Sequence, residues 1–189
     1  MTILNARLVS VSMPVNSVET PEELITYCAR VSNPSGQARS DGSEKLLSYC
    51  IRNAHWSVFE MASAIVEVEA PRDISRQLLR HRSFSFQEFS QRYSSEIGFT
   101  ERKFREQDYK NRQNSFDSFD KGTKDACEVL VQEALASCRR AYDELLKMGV
   151  AKECARVVLP EGLTMSKLYV NGTIRSWLHY LSVRDDEGV

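Results

Sequence analysis

The stretch SAIVEVEAPRDISRQLLRHRSFSFQEFSQRY, residues 63–93, decides the fold class. Residues 63–70 set Ile65, Glu67 and Glu69 against Val66 and Val68, the alternation of a strand. Pro71 ends it, because proline has no N–H to give a ladder. The period then changes. Over 72–82 a helix is predicted, with Ile74 and Leu78 on the core side. Arg76 and Arg80 become i,i+4 neighbours, and Gln77, Arg80 and His81 share a face. Residues 83–95 read as irregular strand or loop.

Working outward, residues 2–13 alternate like a strand that ends at Pro14. Residues 20–32 read as a helix with Thr20 as N-cap, Pro21 in the first turn and Glu22 and Glu23 after it. A loop of turn formers covers 33–43, and a helix over 44–55 follows with Ser43 as its expected cap. Residues 96–118 are polar, charged and aperiodic, and are expected as a long exposed excursion. The clearest helix runs over 121–149 and closes on Gly149. A short helix over 151–159, a strand over 163–170 and a helix over 171–184 complete the chain. Helices and separated strands without regular βαβ alternation give an α+β class. The expected form is a mixed or antiparallel sheet with long helices, in one domain over 1–189 with no internal repeat or linker.

A formal net charge of −1 makes the chain as a whole no attractor of nucleic acid, so any basic site is local. No apolar run approaches the roughly 20 residues that span a bilayer. The N-terminus lacks the charged start and apolar block of a signal peptide, so a cytoplasmic location is expected. Five scattered cysteines (Cys28, Cys50, Cys127, Cys138, Cys154) with no CxxC pair read as reduced thiols rather than a disulfide framework or a zinc site. Cys154, near Arg156, is the one mild candidate for a reactive thiol.

The local exception to neutrality is residues 72–92. They hold five arginines (72, 76, 80, 82, 92), His81 and only two acids, Asp73 and Glu88. Arginine forks suit phosphate, Ser85, Gln87 and Ser90 add neutral donors, and Glu88 can accept from a sugar hydroxyl. This composition suits a nucleotide-shaped anion. It also suits an exposed basic helix paired with Asp73 and Glu88, or a single-stranded nucleic-acid track of basic and aromatic residues. A second cluster, Arg156, Arg175, His179 and Arg184, lies toward the C-terminus, with Ile174, Trp177, Leu178 and Leu181 as its packing side. Taken alone, His179 reads as a packing histidine and His55 as a helix terminator. GxGxxG and GxxxxGK[ST] phosphate loops are absent.

The spacing RHRxxSxxExSxRY from Arg80 to Tyr93 resembles the signature of the flavin-dependent thymidylate synthases. ARVS (29–32), HWSVFE (55–60), RQLLRHR (76–82), ARVVLP (155–160) and RSWLHYLSVR (175–184) resemble further segments of that family, in the same order. The resemblance implies reductive methylation of dUMP to dTMP. Methylenetetrahydrofolate is then the carbon donor, FAD reduced by NADPH the hydride source, and no enzyme cysteine attacks the uracil. It implies a homotetramer with shared sites, no membrane partner and no nucleic-acid partner.

By motif match, the resemblance implies that Arg76, Gln77, Arg80, Glu88, Ser90, Arg92, Arg156 and Arg184 lie at dUMP. Arg184 would act catalytically, polarising or deprotonating the uracil N3 region. His55, Ser57, Arg80, His81, Arg82, Glu88, Thr173, Arg175 and His179 would lie at FAD. Two positions depart from the family. Gln87 stands where Asn is usual, and Thr173 stands where an Asn precedes the Arg by two. Family members also continue past the Arg184 position into a further helix, which the domain over 1–189 is expected to lack. The alternative to an enzyme is an impaired nucleotide or single-stranded nucleic-acid binding module on the same fold.

Overall fold

A computed structural model describes residues 5–15, 18–39 and 41–184. Its elements in chain order are β1 (Asn5–Val11), α1 (Pro21–Ala29), α2 (Ser43–Arg52), β2 (Ser63–Pro71), α3 (Arg72–Leu78), β3 (Ser85–Glu88), β4 (Glu106–Gln107), β5 (Ser115–Phe116), α4 (Lys121–Lys147), α5 (Lys152–Ala155), β6 (Met165–Thr173) and α6 (Ile174–Arg184). Short 3-10 helices cover Pro34–Gly36, Trp56–Glu60 and Arg156–Val158. The class is α+β as expected, and the main sheet is antiparallel throughout, in the order β1-β2-β6-β3. Residues 2–4 of the expected first strand lie outside the described residues.

The sheet has one covered face. On β6, Ser166, Leu168, Val170 and Gly172 are buried, whereas Tyr169 and Asn171 are exposed. Leu168 and Val170 pack with Leu78 of α3, Phe84 and Trp177 of α6. A second cluster joins Ile25, Cys50, Phe59 and Ala62 to Ile174 and Leu178. Helix α6 therefore serves two cores at once, with 174 and 178 facing one and 177 and 180 the other. Leu181, expected on the packing side, is exposed instead. The opposite face of the sheet is polar. There Glu67 is buried beneath Arg7 at 3.2 Å and Lys167 at 3.8 Å. The Tyr169 hydroxyl first, and then those cations, hold its carboxyl below the usual range.

Some expected boundaries hold and others move. Thr20 caps α1 as read, accepting from Glu23 N at 3.2 Å. Gly42, at φ +74°, rather than Ser43, precedes α2, and Ser43 Oγ instead meets Thr26 Oγ1 at 3.0 Å. Helix α4 ends in a Schellman motif on Gly149 at φ +84°, with Val150 N donating to Leu145 O and Gly149 N to Leu146 O, each at 3.0 Å. The 96–118 excursion carries the small β4–β5 hairpin, whose loop Asp108 ties by accepting from Lys110 N and Asn111 N. Strand β6 runs three residues further than read, so α6 starts at Ile174. Thr173 Oγ1 accepts from Ser176 N at 3.3 Å and caps α6.

The largest change is in the signature itself. The helix predicted over 72–82 stops at Leu78, so Arg80 and His81 lie in a turn and the i,i+4 relation of Arg76 to Arg80 is lost. Tight turn bonds, Arg80 N to Gln77 O, His81 N to Leu78 O and Phe84 N to His81 O, reverse the chain into β3. Phe84 drives the reversal. Its ring is buried, 4.6 Å from that of Trp177, and lies over Gly172. A Cβ at residue 172 would sit 2.3 Å from the Phe84 ring. Gly172→Ala should therefore destabilise the protein by about 3 kcal/mol through overpacking, read as a lower urea midpoint.

Candidate active site

Helix α3 and strand β3 gather one set of the expected residues around a residue that the motif did not single out. Arg72 opens α3, with its backbone N donating to Thr164 O at 2.9 Å. Its guanidinium, 13% exposed, pairs with Glu161 at 3.2 Å and with Glu88 Oε1 at 3.9 Å. It also donates to Gln91 Oε1 at 3.4 Å. Ser166 Oγ donates to the same Glu88 oxygen at 2.8 Å. Arg76 donates to the other oxygen of Glu161. Burial pushes the Glu161 carboxyl up, but the hydrogen bond from Arg76 and the charge of Arg72 outweigh it and hold the group below its ordinary value.

A second set meets where the chain leaves the signature. Ser90 Oγ accepts from Arg92 N at 3.3 Å, and Arg92 pairs with Glu153 at 3.2 Å. Arg156 donates to Glu153 O at 3.1 Å, so α5 holds both arginines. Cys154 on the same short helix is exposed, whereas burial pushes the Cys50 thiol up. Alternation along β3 separates Gln87 from this chemistry. Gln87 pairs with Tyr169 on the polar face of the sheet, while Glu88 pairs with Leu168 on the covered face. Ser85, opposite Asn171, also lies on the polar face. Neither therefore stands with Glu88, as composition had suggested.

The third set lines a cleft of about 640 Å³ between the Trp56–Glu60 turn and α6. Thr173, Arg175 and His179 border it, together with Trp56, Ser83 and Leu178. The i,i+4 spacing of Arg175 and His179 puts both on the exposed stripe of α6. Arg175 pairs with Glu60 across the cleft. His55 and Ser57 flank Trp56 and are exposed. Helix α2 reaches His55 through Ala54 at φ +55°, a left-handed position that costs a residue with a Cβ about 1 kcal/mol. His55 packs edge-on against Tyr49, with centroids 5.7 Å apart. A broader concavity of about 1190 Å³, near Glu69, Arg139 and Lys167, contains none of the expected residues.

His81 links α6 to the turn after α3. Its ring is edge-on to Tyr180 at 5.0 Å. Burial pushes its pKa down, and the nearby charges of Arg184, His179 and Arg80 push it further. Arg80, Arg82 and Arg184 make no ion pair among the described residues, so their positive field is not cancelled there. The unfolded chain binds a proton at His81 more readily than the folded one. This contribution to stability is fully present above about pH 6.5 and is lost as pH falls through the lower folded value. His81→Gln should flatten this acid-side loss, measured as urea midpoints at about pH 7.5 and about pH 5.

Among the described residues, no hydrogen bond or ion pair joins the sets around Glu88 and Glu153 to Arg184. Gln77 and Arg82 are exposed. Sequence reasoning missed Glu161, Gln91, Glu153 and Ser83, and gave Arg72 and Glu60 no role. Asp73, offered as a partner for the basic helix, instead binds Arg102 at 2.9 Å.

Comparison with known proteins bears on this arrangement. Residues 15–189 match the family model described as thymidylate synthase complementing protein. A flavin-dependent thymidylate synthase of Synechocystis sp. is 45% identical over 188 residues, which span 97% of this chain and 86% of that one. A probable flavin-dependent thymidylate synthase of Paramecium bursaria Chlorella virus 1 is also 45% identical, over 98% of this chain and 86% of its own length. The crystal structure of the UMP/dUMP methylase PolB from Streptomyces cacaoi, bound with 5-Br dUMP, superposes with a TM-score of 0.78. It is 30% identical and covers 96% of this chain and 78% of that one.

Proposed function

This chain belongs to the family of flavin-dependent thymidylate synthases, and from that premise we propose that it methylates dUMP reductively to dTMP. The single observation that carries the reading is the convergence on α6. Arg175 and His179 line one cleft there, and the field of Arg184 reaches His81 of the signature. The cleft suits FAD. Its volume lies within the usual range for small-molecule sites of about 300–1,000 Å³, and it offers an apolar wall at Trp56 and Leu178 with a few convergent polar groups.

In this reading His55, Ser57, Arg80, His81, Arg82, Glu88, Arg175 and His179 hold FAD, and Thr173 shapes the site by capping α6. Arg76, Gln77, Arg80, Glu88, Ser90, Arg92, Arg156 and Arg184 hold dUMP. When bound, FAD reduced by NADPH would supply the hydride. The carbon leaves methylenetetrahydrofolate as a methylene, bonds to uracil C5 with loss of the C5 proton, and is reduced to methyl. Arg184 stabilises negative charge on the N3 side of the ring as C5 becomes nucleophilic. A guanidinium acts here as a fixed cation, because it does not give up its proton in proteins. His81, with its pKa held down, is a neutral donor or acceptor beside the reacting rings.

The sets left separate within one chain fit a homotetramer with shared sites. Exposed Leu8, Val9, Val129 and Leu130 supply apolar surface for such contacts. Among the described residues no helix is long and apolar enough to cross a membrane, and cytoplasmic action is proposed. The test is a titration of the protein with FAD, followed by flavin fluorescence with and without dUMP. Saturable binding altered by dUMP, and NADPH oxidation that needs dUMP, are expected. Salt-sensitive binding of single-stranded nucleic acid with no flavin bound would overturn the reading.

A further inference from the structure

We propose that Arg72, steadied by Gln91, is a positioning residue of the nucleotide site, a role that rests on the dUMP reading above. Three connected elements meet at its guanidinium: Glu88 on β3, Gln91 in the following turn and Glu161 in the loop before β6. Glu161 in turn binds Arg76. One side chain thus ties together two groups assigned to dUMP, Glu88 directly and Arg76 through Glu161.

The geometry at Glu88 gives the tie a direction. Both of its contacts fall on Oε1, from Ser166 at 2.8 Å and Arg72 at 3.9 Å. Among the described residues Oε2 takes none. A carboxylate held by one oxygen presents the other, so Arg72 and Ser166 aim Oε2 at a hydrogen-bond donor of the nucleotide. Arginine suits this task, because its planar fork holds several N–H donors in fixed directions, whereas an ammonium is a compact charge with three rotatable donors.

Gln91 supplies an independent observation. It is 4% exposed, and its Nε2 is buried without a hydrogen-bond partner. Turning the amide over would put that donor against the Arg72 guanidinium, so the oxygen is fixed toward Arg72 and the nitrogen is stranded. A stranded donor lowers stability. Its presence next to Ser90 and Arg92 is understandable if the amide oxygen is needed to hold Arg72.

The two roles, positioning and mere packing, predict opposite results. In the FAD-loaded full chain, Arg72→Lys keeps the charge and loses the fork. It should raise KM for dUMP about tenfold, with kcat at saturating dUMP kept within about threefold. Gln91→Met removes the stranded amide at similar volume. It should leave Tm unchanged or higher while KM for dUMP rises severalfold. A wild-type KM in Arg72→Lys, or a lower Tm with unchanged KM in Gln91→Met, would overturn the proposal. Wild-type protein that neither binds nor turns over dUMP would bring down the functional reading itself, and this inference with it.

Discussion

Arg184→Ala is expected to abolish dTMP formation while the protein stays folded and keeps its flavin. The side chain lies in the last turn of α6, is exposed and makes no ion pair among the described residues. Its removal therefore costs little stability, within about 0.5 kcal/mol for a surface site of this kind. Its charge nevertheless reaches His81, where it is the second cause of the depressed pKa after burial. In the proposed reaction a cation at that position stabilises charge on the uracil only as the ring becomes nucleophilic. Loss of such a group costs about 10²- to 10³-fold in rate, or more. A second readout needs no turnover. Without Arg184, the His81 pKa should rise toward its ordinary value, seen by proton NMR of the imidazole. Wild-type turnover in the variant would remove Arg184 from the chemistry. An unmoved His81 would mean that the two do not share a site.

The class of the fold was legible because the sheet has one covered face. Val66 and Val68 against Glu67 and Glu69 gave β2 its period, and Thr20, Pro21 and Gly149 marked helix ends by backbone chemistry that needs no tertiary partner. The two largest failures share one cause. The helix expected through Arg82 breaks at Leu78 because Phe84 must reach Gly172 and Trp177, which lie far along the chain. Strand β6 likewise continues through 171–173 because β2 and β3 offer it partners there. Local periodicity cannot register a partner so distant in sequence.

The site was legible by residue type more than by arrangement. The stripe of Arg175 and His179 followed from helical spacing alone. The basic excess over 72–92 was real, but much of it is answered within the chain. Arg72 and Arg76 meet Glu161, and Arg92 meets Glu153, acids drawn from outside the segment. Such pairings depend on the loop before β6 and on α5 folding back over the signature, which no spacing rule encodes. Of the arginines in the two basic clusters, Arg80, Arg82, Arg156 and Arg184 make no ion pair among the described residues, and these delimit the proposed anion site more sharply than the count of five did.

Arg80→Ala is expected to weaken FAD and dUMP together. Arg80 sits in the turn between α3, which carries Arg76 and Gln77, and His81, whose surroundings include His179 of the cleft and Arg184. It is exposed, lies between groups proposed for dUMP and groups proposed for FAD, and makes no ion pair among the described residues. A charge-assisted hydrogen bond is worth about 1.5–3 kcal/mol, so each affinity should fall roughly 10- to 100-fold. Because one side chain would serve both ligands, the coupling between them should fall as well. The shift that dUMP causes in the FAD titration should shrink in the variant, and the shift that FAD causes in dUMP binding should shrink by the same factor. Arg82→Ala is the contrast, since Arg82 is assigned to FAD alone and its loss should leave dUMP affinity near wild type. Fluorescence titration for FAD and equilibrium dialysis for dUMP measure both. Unchanged affinities in Arg80→Ala would break the shared-site account. A loss confined to one ligand would place Arg80 wholly on that ligand's side of the site.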